Sequence, residues 1–138
     1  MVAHGTIAFD TLTTSDQVKT STEKSLDTSY VYNGSSKCWV NLIGTGTAAI
    51  NDSFNTSGIT DNGTGEYTIS IANDFSAVNY SLTTGVRGVS GTSQAIAVID
   101  IDTPPLVGAF KVTTKQSGSA QNAMDCPLIN CTTHGDLA

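Results

Sequence analysis

The sequence predicts an all-β protein: a small antiparallel β-sandwich of about seven or eight strands that follows an extended N-terminal arm. Three observations support this prediction. Short apolar runs that alternate with polar residues recur at regular spacing beyond residue 36. Each connection between these runs contains Gly, Asn, Asp or Pro, the residues that favour hairpin turns. No stretch beyond residue 36 has the apolar periodicity of an amphipathic helix.

The N-terminal third of the chain is more polar than the remainder and is expected to have no core of its own. Residues 2–12 could form one short strand. A brief helix from Asp16 to Leu26, capped by Ser15, would have only a weak apolar face, so an extended arm is favoured. We therefore divide the chain into an N-terminal arm, residues 1–36, and a sandwich knob, residues 37–138.

The strands of the knob are predicted from runs of β-branched and aromatic residues. In the run from Gly65 to Ala72, strict alternation places Tyr67, Ile69 and Ile71 on one face, toward the core. The full set of expected strands is Lys37–Leu42, Thr47–Phe54, Gly65–Ala72, Ala77–Thr83, Gln94–Ile101, Leu106–Thr114 and Leu128–Thr133.

Two of these strands carry a further expectation about burial. In Ala77–Thr83, the alternation predicts that Val78, Tyr80 and Leu82 point inward. Gln94–Ile101 is almost continuously apolar, which predicts that both of its faces are buried.

The stretch GITDNGTGEYTISI, residues 58–71, allows two interpretations. Asp61, Asn62 and Glu66 offer oxygen ligands, but they lack the alternate spacing and late bidentate glutamate of a calcium loop. Asp-Asn-Gly is typical of tight turns whose residues need positive φ. The sequence therefore predicts a hairpin turn at residues 61–63 and a strand after it.

Composition excludes several classes of partner. Charged residues make up 13% of the chain and the net charge is −6, which argues against nucleic-acid binding. No apolar stretch approaches the length of a membrane span, so no membrane insertion is expected.

The cysteines, Cys38, Cys126 and Cys131, are odd in number and unevenly spaced, which favours reduced thiols over a disulfide framework.

A zinc site is the first candidate for chemistry. Cys126, Cys131 and His134 could ligate zinc, with Cys38 or His4 as a fourth ligand. Four residues separate Cys126 from Cys131, which is the upper limit of the usual pairing, and the fourth ligand would come from a distant part of the chain, so the sequence argues against the site.

Acid–base and nucleophilic catalysis are equally weakly supported. Asp100 and Asp102 share a face of a predicted strand, where paired carboxylates could move a proton or hold a cation. A strand end before Pro104 and Pro105 is the simpler interpretation. The histidines, His4 and His134, stand at the two ends of the chain and neither accompanies a nucleophile motif. We expect no enzyme, no metal and no cofactor.

The aromatic residues could instead form a sugar-binding surface, because their rings stack on the apolar faces of sugars. Trp39, Tyr67 and Tyr80 fall at inward positions of their strands, which favours the core. Tyr30 and Tyr32 alternate just before the knob and are expected to pack at a subunit seam.

The segment from Tyr32 to Tyr80 carries, in order, NGSSK, WVN, GTGT, SFN and ITDNGTGEYT. It resembles a module that recurs in virion proteins of marine and freshwater tailed phages, often described as tail-fibre or tail-associated. The match covers roughly a third of the chain. Cys38 stands where the module usually has Ala, Leu42 stands where it has an aromatic residue, and the segment Asp125–His134 has no counterpart in it.

The resemblance implies a non-enzymatic virion structural protein that forms an exposed β-rich knob, commonly a homotrimer. One expected function is a tail fibre that binds a host-surface glycan or protein through its loops, for example Gly85–Ser93 and Gln116–Ala120. The alternative is a capsid decoration or cement protein whose arm binds neighbouring capsid subunits. Either protein would be located in the virion after assembly in the bacterial cytoplasm, where thiols stay reduced. The run Ala95–Ile101 could supply the subunit interface.

Overall fold

The structure is a computed structural model that describes residues 11–13, 25–89, 94–118 and 121–138. In the N-terminal unit, strand β1 (Thr11–Thr13) pairs antiparallel with β2 (Ser25–Asp27), and a single two-turn helix, α1 (Thr28–Gly34), follows directly. Asp27 Oδ1 accepts a hydrogen bond of 2.8 Å from the Ser29 amide and so caps the helix.

Helix α1 contains Tyr30 and Tyr32, so these residues do not lie on the extended segment that was expected, and their packing at a subunit seam stays a prediction. Their side chains are 71% and 54% exposed. The brief helix considered at Asp16–Leu26 and the short strand considered at residues 2–12 fall mostly outside the described residues. Where the first of these ranges is described, at Ser25 and Leu26, the chain is a strand.

The second compact unit, Ser36–Ala138, consists of two four-stranded antiparallel sheets, which confirms the predicted all-β sandwich. The first sheet has the strand order β4-β3-β10-β7, and the second has the order β5-β6-β9-β8. The strands are β3 (Cys38–Ile43), β4 (Ala49–Phe54), β5 (Thr56–Gly63), β6 (Glu66–Ile71), β7 (Ser81–Arg87), β8 (Ala95–Ile99), β9 (Ala109–Gln116) and β10 (Leu128–His134).

The core lies between the two sheets. Alternate residues of β3, β6 and β10 are buried, as the period of two in a half-buried strand requires. The predicted inward row of Tyr67, Ile69 and Ile71 is confirmed, with exposures of 0, 0 and 5%. The buried set comprises Cys38, Val40, Leu42, Tyr67, Ile69, Ile71, Phe75, Phe110, Val112, Met124, Cys126, Ile129 and Cys131.

The hairpin in GITDNGTGEYTISI is present, but its predicted turn is wrong by two residues. Residues 56–63 form the strand β5, and Gly63 pairs with Glu66 across the turn residues Thr64 and Gly65. Asn62 is instead the extra residue of a β-bulge, where the Asp61 carboxylate accepts a hydrogen bond from the Gly63 amide. The polar composition of β5 concealed the strand, because its few apolar residues give no clear alternation.

The chain passes from one sheet to the other at Asn55, between β4 and β5. Asn55 has a φ of 54°, a left-handed conformation that Asn tolerates better than most residues. Its side chain fixes the corner, since Oδ1 accepts from the Asn73 amide at 2.7 Å and Nδ2 donates to the Asn73 carbonyl at 3.0 Å. One continuous segment therefore joins the two sheets along this edge.

Two burial predictions are wrong. Val78 is 49% exposed, because β7 begins only at Ser81 and Val78 belongs to the preceding connection. Strand β8 lies at the edge of the second sheet and is not covered on both faces. Its aliphatic residues and those just beyond it remain exposed: Ile96 by 37%, Val98 by 39%, Ile99 by 40% and Ile101 by 89%. We call these four residues the aliphatic patch.

Candidate binding surfaces

The three residues considered as zinc ligands do not converge. Cys131 points into the core from β10, whereas His134, three residues later, lies on the opposite face of the same strand. Cys126 is buried, and its Sγ lies 3.7 Å from the Met124 carbonyl oxygen. Burial raises the pKa of the Cys38, Cys126 and Cys131 thiols, which keeps them protonated. His4 lies outside the described residues.

Asp100 and Asp102 are linked through the backbone, because the Asp102 amide donates to Asp100 Oδ1 at 3.2 Å, but only Asp100 contacts β9 through its side chain. Asp100 Oδ2 accepts a hydrogen bond from Thr113 Oγ1 at 2.8 Å, and this bond lowers the pKa of the carboxyl. Lys111 Nζ lies 3.6 Å from the same carboxylate and 2.7 Å from Glu66. Asp102 is exposed beyond the end of β8. The arrangement anchors the end of β8 on β9.

A buried polar cluster surrounds Tyr67, whose hydroxyl lies 2.8 Å from Asp125 Oδ1 and 3.2 Å from the Gly44 carbonyl. Desolvation is the main reason that the pKa of Tyr67 is raised. The same Asp125 oxygen accepts from the Gly65 amide at 2.7 Å. The cluster connects the β5–β6 turn to the segment before β10, and it is a structural site.

Tyr80 lies at the edge of the core, whereas Trp39 does not lie in it. The Tyr80 ring stacks on Phe75 with a centroid distance of 4.3 Å. Trp39 is half-buried on the outer face of the first sheet, since its neighbours Cys38 and Val40 occupy the inward positions. The prediction that Trp39 fills the core is therefore wrong.

Trp39 belongs to a surface on the outer face of the first sheet. It pairs directly with Phe54 of β4 and with Thr132 of β10, so the three side chains share this face. Phe54 is 55% exposed. Two residues further along β3, Asn41 pairs with Asn130 of β10.

Three amides form a ladder across the strands of this face. Asn51 Nδ2 donates to Asn41 Oδ1 at 2.8 Å, and Asn41 Nδ2 donates to Asn130 Oδ1 at 2.6 Å. Within the described part of the chain, Asn51 Oδ1 and Asn130 Nδ2 have no protein partner. We call Trp39, Phe54, Asn41, Asn51 and Asn130 the amide platform.

The platform is open beyond Asn130, because the residue that pairs with Asn130 on β7 is Gly85. A Cβ atom at Gly85 would meet nothing closer than Asn130 Cβ at 4.0 Å. The nearest charged groups along the strands are Asp52, which pairs with Asn41, and Arg87, two residues beyond Gly85. Most of this face therefore presents amides, hydroxyls and aromatic rings.

The second sheet has a different outer face. An open cleft of about 790 Å³ is lined by the aliphatic patch together with Glu66, Asp102, Lys115 and residues 121–123. Its surface combines aliphatic side chains with charges of both signs, whereas the amide platform on the first sheet consists of amides and aromatic rings with Asp52 beside Asn41.

The loops expected to carry recognition are described only in part. In Gly85–Ser93, residues 85–87 belong to β7 and residues 90–93 lie outside the described residues. In Gln116–Ala120, Gln116 ends β9 and residues 119–120 lie outside them. No sequence signal indicated the amide platform, because Asn41 and Asn130 are distant in the chain and meet only through strand pairing.

Comparisons of the chain with models of known protein families, with curated proteins and with solved structures find no match. Within the described residues, no helix has the length and apolar character needed to cross a membrane.

Proposed function

We propose that this chain is a non-enzymatic structural protein of a tailed-phage virion, an exposed and homotrimeric β-sandwich knob that takes part in attachment to the host surface. The resemblance of Tyr32–Tyr80 to phage virion modules supports the proposal. The structural observation that carries it is the aliphatic patch, which a solitary chain would leave in water. Sister chains and, through the N-terminal arm, other virion proteins are the proposed partners.

The aliphatic patch suits packing against sister chains better than it suits strand addition. The Asp100 amide donates to the Lys111 carbonyl, and in an antiparallel pair every second residue directs its amide and carbonyl toward the partner strand. Ala97 is an odd number of residues from Asp100, so its carbonyl points away from β9. Thr84 Oγ1 of β7 donates to the Ala97 carbonyl at 2.7 Å and so blocks this edge. The side chains of Ile96, Val98 and Ile101 remain available, and their burial is worth about 25 cal/mol per Å².

The oligomeric state can be tested directly. Light scattering on the purified chain is expected to give three times the 14.3 kDa mass of one chain. Val98→Lys, which places a charge in the aliphatic patch, should yield monomers. Val78→Lys is the matched control, because Val78 is also about half-exposed but lies outside the patch, and it should remain trimeric. A monomeric mass for the wild-type chain contradicts the proposed trimer.

The location on the particle requires virions of the phage that encodes the chain. Quantitative gel densitometry is expected to find a copy number that is a small multiple of three or six, as for a tail fibre. A copy number close to that of the major capsid protein would instead identify a capsid decoration protein. The absence of the chain from purified virions would refute both functions.

A further inference from the structure

We propose that the amide platform binds neutral sugar rings of a bacterial surface polysaccharide. This inference rests on the proposed attachment function and supplies its ligand class. It places recognition on a sheet face and not in the loops that the sequence indicated.

The platform has the two kinds of group that a sugar ring needs. A pyranose presents C–H groups on one face and hydroxyls at its rim. Trp39 and Phe54 offer aromatic surface to the C–H groups, and both lie at the same level of neighbouring strands. The amide ladder begins two residues along β3, about 7 Å away, which is the scale of a single ring.

The amide ladder is prepared for hydroxyl groups. A hydroxyl both donates and accepts hydrogen bonds, and so does a side-chain amide. The bonds within the ladder leave an acceptor, Asn51 Oδ1, at one end and a donor, Asn130 Nδ2, at the other. These strands are two spacings apart, about 10 Å, so the ends can serve neighbouring positions on one oligosaccharide. Because their mutual bonds hold the three amides in place, little side-chain entropy is lost on binding.

Charge and satisfaction of hydrogen bonds favour a neutral sugar over other partners. The net charge of −6 repels anionic polymers, and the ladder contains no cation. An apolar protein surface would cover Phe54, but it would also bury the free ends of the ladder without partners, which is costly. Gly85 leaves room for a ring beside Asn130.

Trp39 is the only tryptophan in the chain, so its fluorescence reports on the platform alone. The probe is protein-free polysaccharide extracted from the bacterium on which the phage grows, titrated into the purified full chain. We expect a saturable change in tryptophan emission that is lost when periodate has first opened the sugar rings of the extract. Unchanged emission at every concentration of the intact extract would overturn the proposal.

Three variants keep the reporter and test the two parts of the platform separately. Phe54→Ala removes an exposed ring and is expected to weaken binding about tenfold, which corresponds to about 1.4 kcal/mol. Asn130→Ala should weaken binding by a similar factor. Gly85→Gln adds a side chain at a position where φ is not positive and there is room for it. The new side chain should occupy the space beside Asn130 and so weaken sugar binding.

The matched controls are Val78→Ala for the ring and Asn79→Ala for the amide, because both residues are exposed and lie outside the platform. Thermal unfolding verifies that each variant folds. Binding that is equal in the platform variants and the controls would refute the assignment of the site. If the chain is found in virions but its emission does not change with polysaccharide, only this inference is refuted. If the chain binds polysaccharide but is absent from virions, only the proposed function is refuted.

Discussion

Alkaline pH should destabilise this protein through its buried thiols, and Cys131 allows the effect to be calculated. Its side chain is 1% exposed, and burial, together with the nearby Cys38, raises the pKa of the thiol from about 9.0 to about 12. The folded chain therefore keeps the Cys131 proton at a pH where the unfolded chain releases it. Stability is fully present below pH 9 and falls as the pH rises toward 12.

The size of the effect follows from the two pKa values. At pH 8 both states hold the proton, and Cys131 contributes almost nothing to the pH dependence. At pH 10 the unfolded thiol is about 90% ionised, so the free energy of unfolding is lower by about 1.4 kcal/mol from this group alone. Burial also raises the pKa of Cys38 and Cys126, and the total loss should therefore be larger.

Denaturant titrations in a reducing buffer at pH 8, 9 and 10 measure this loss. Cys131→Ala should cost about 1 kcal/mol at pH 8 by leaving a small void, and should lose about 1.4 kcal/mol less than the wild type between pH 8 and 10. Thr132→Ala changes the next residue, on the outer face, and should keep the wild-type pH dependence. Equal stability of the wild type at pH 8 and 10, or the same slope in Cys131→Ala, would refute the reasoning.

Three further substitutions test the structure by denaturant titration at neutral pH. Gly65→Ala should cost about 2–4 kcal/mol, because φ is +71° and the new Cβ would clash with the Thr114 carbonyl oxygen. Gly58→Ala lies in open space and should change little, so comparable losses for the two variants would contradict this account. Tyr67→Phe should cost about 1–2 kcal/mol through the lost bond to Asp125, whereas the exposed Tyr30→Phe should be neutral. Asn55→Ala should cost about 2 kcal/mol and Asn55→Gly less, since glycine tolerates the positive φ; the reverse order would show that φ is not the cause.

Local alternation predicted the part of the fold in which one row of a strand is clearly more apolar than the other. Tyr67, Ile69 and Ile71 alternate along β6 with polar residues, so the sequence alone predicted that these three side chains are buried. In β3 both rows are apolar in part, and the core takes Val40 while Trp39 remains outside. The size of a side chain gave no information about which row the opposite sheet would cover.

The remaining differences depend on pairing between distant segments. A continuous apolar run such as Ala95–Ile99 has the same sequence whether a sheet or another molecule covers its faces. The amide platform combines β3, β4 and β10, and no local pattern indicates which strands will be neighbours. Strand β5 was missed because its pairing with β6, and not its composition, makes it a strand.

The outer faces of two stacked sheets point in opposite directions. A trimer assembled through the aliphatic patch on the second sheet would therefore turn its three amide platforms away from the shared axis. Such a particle is multivalent toward a repetitive polymer, and avidity can exceed the affinity of one site by about 10²–10⁴. On the proposed attachment function, each platform would release and rebind sugar rings quickly while the other two stay bound, so the particle would move along a bacterial surface without detaching from it.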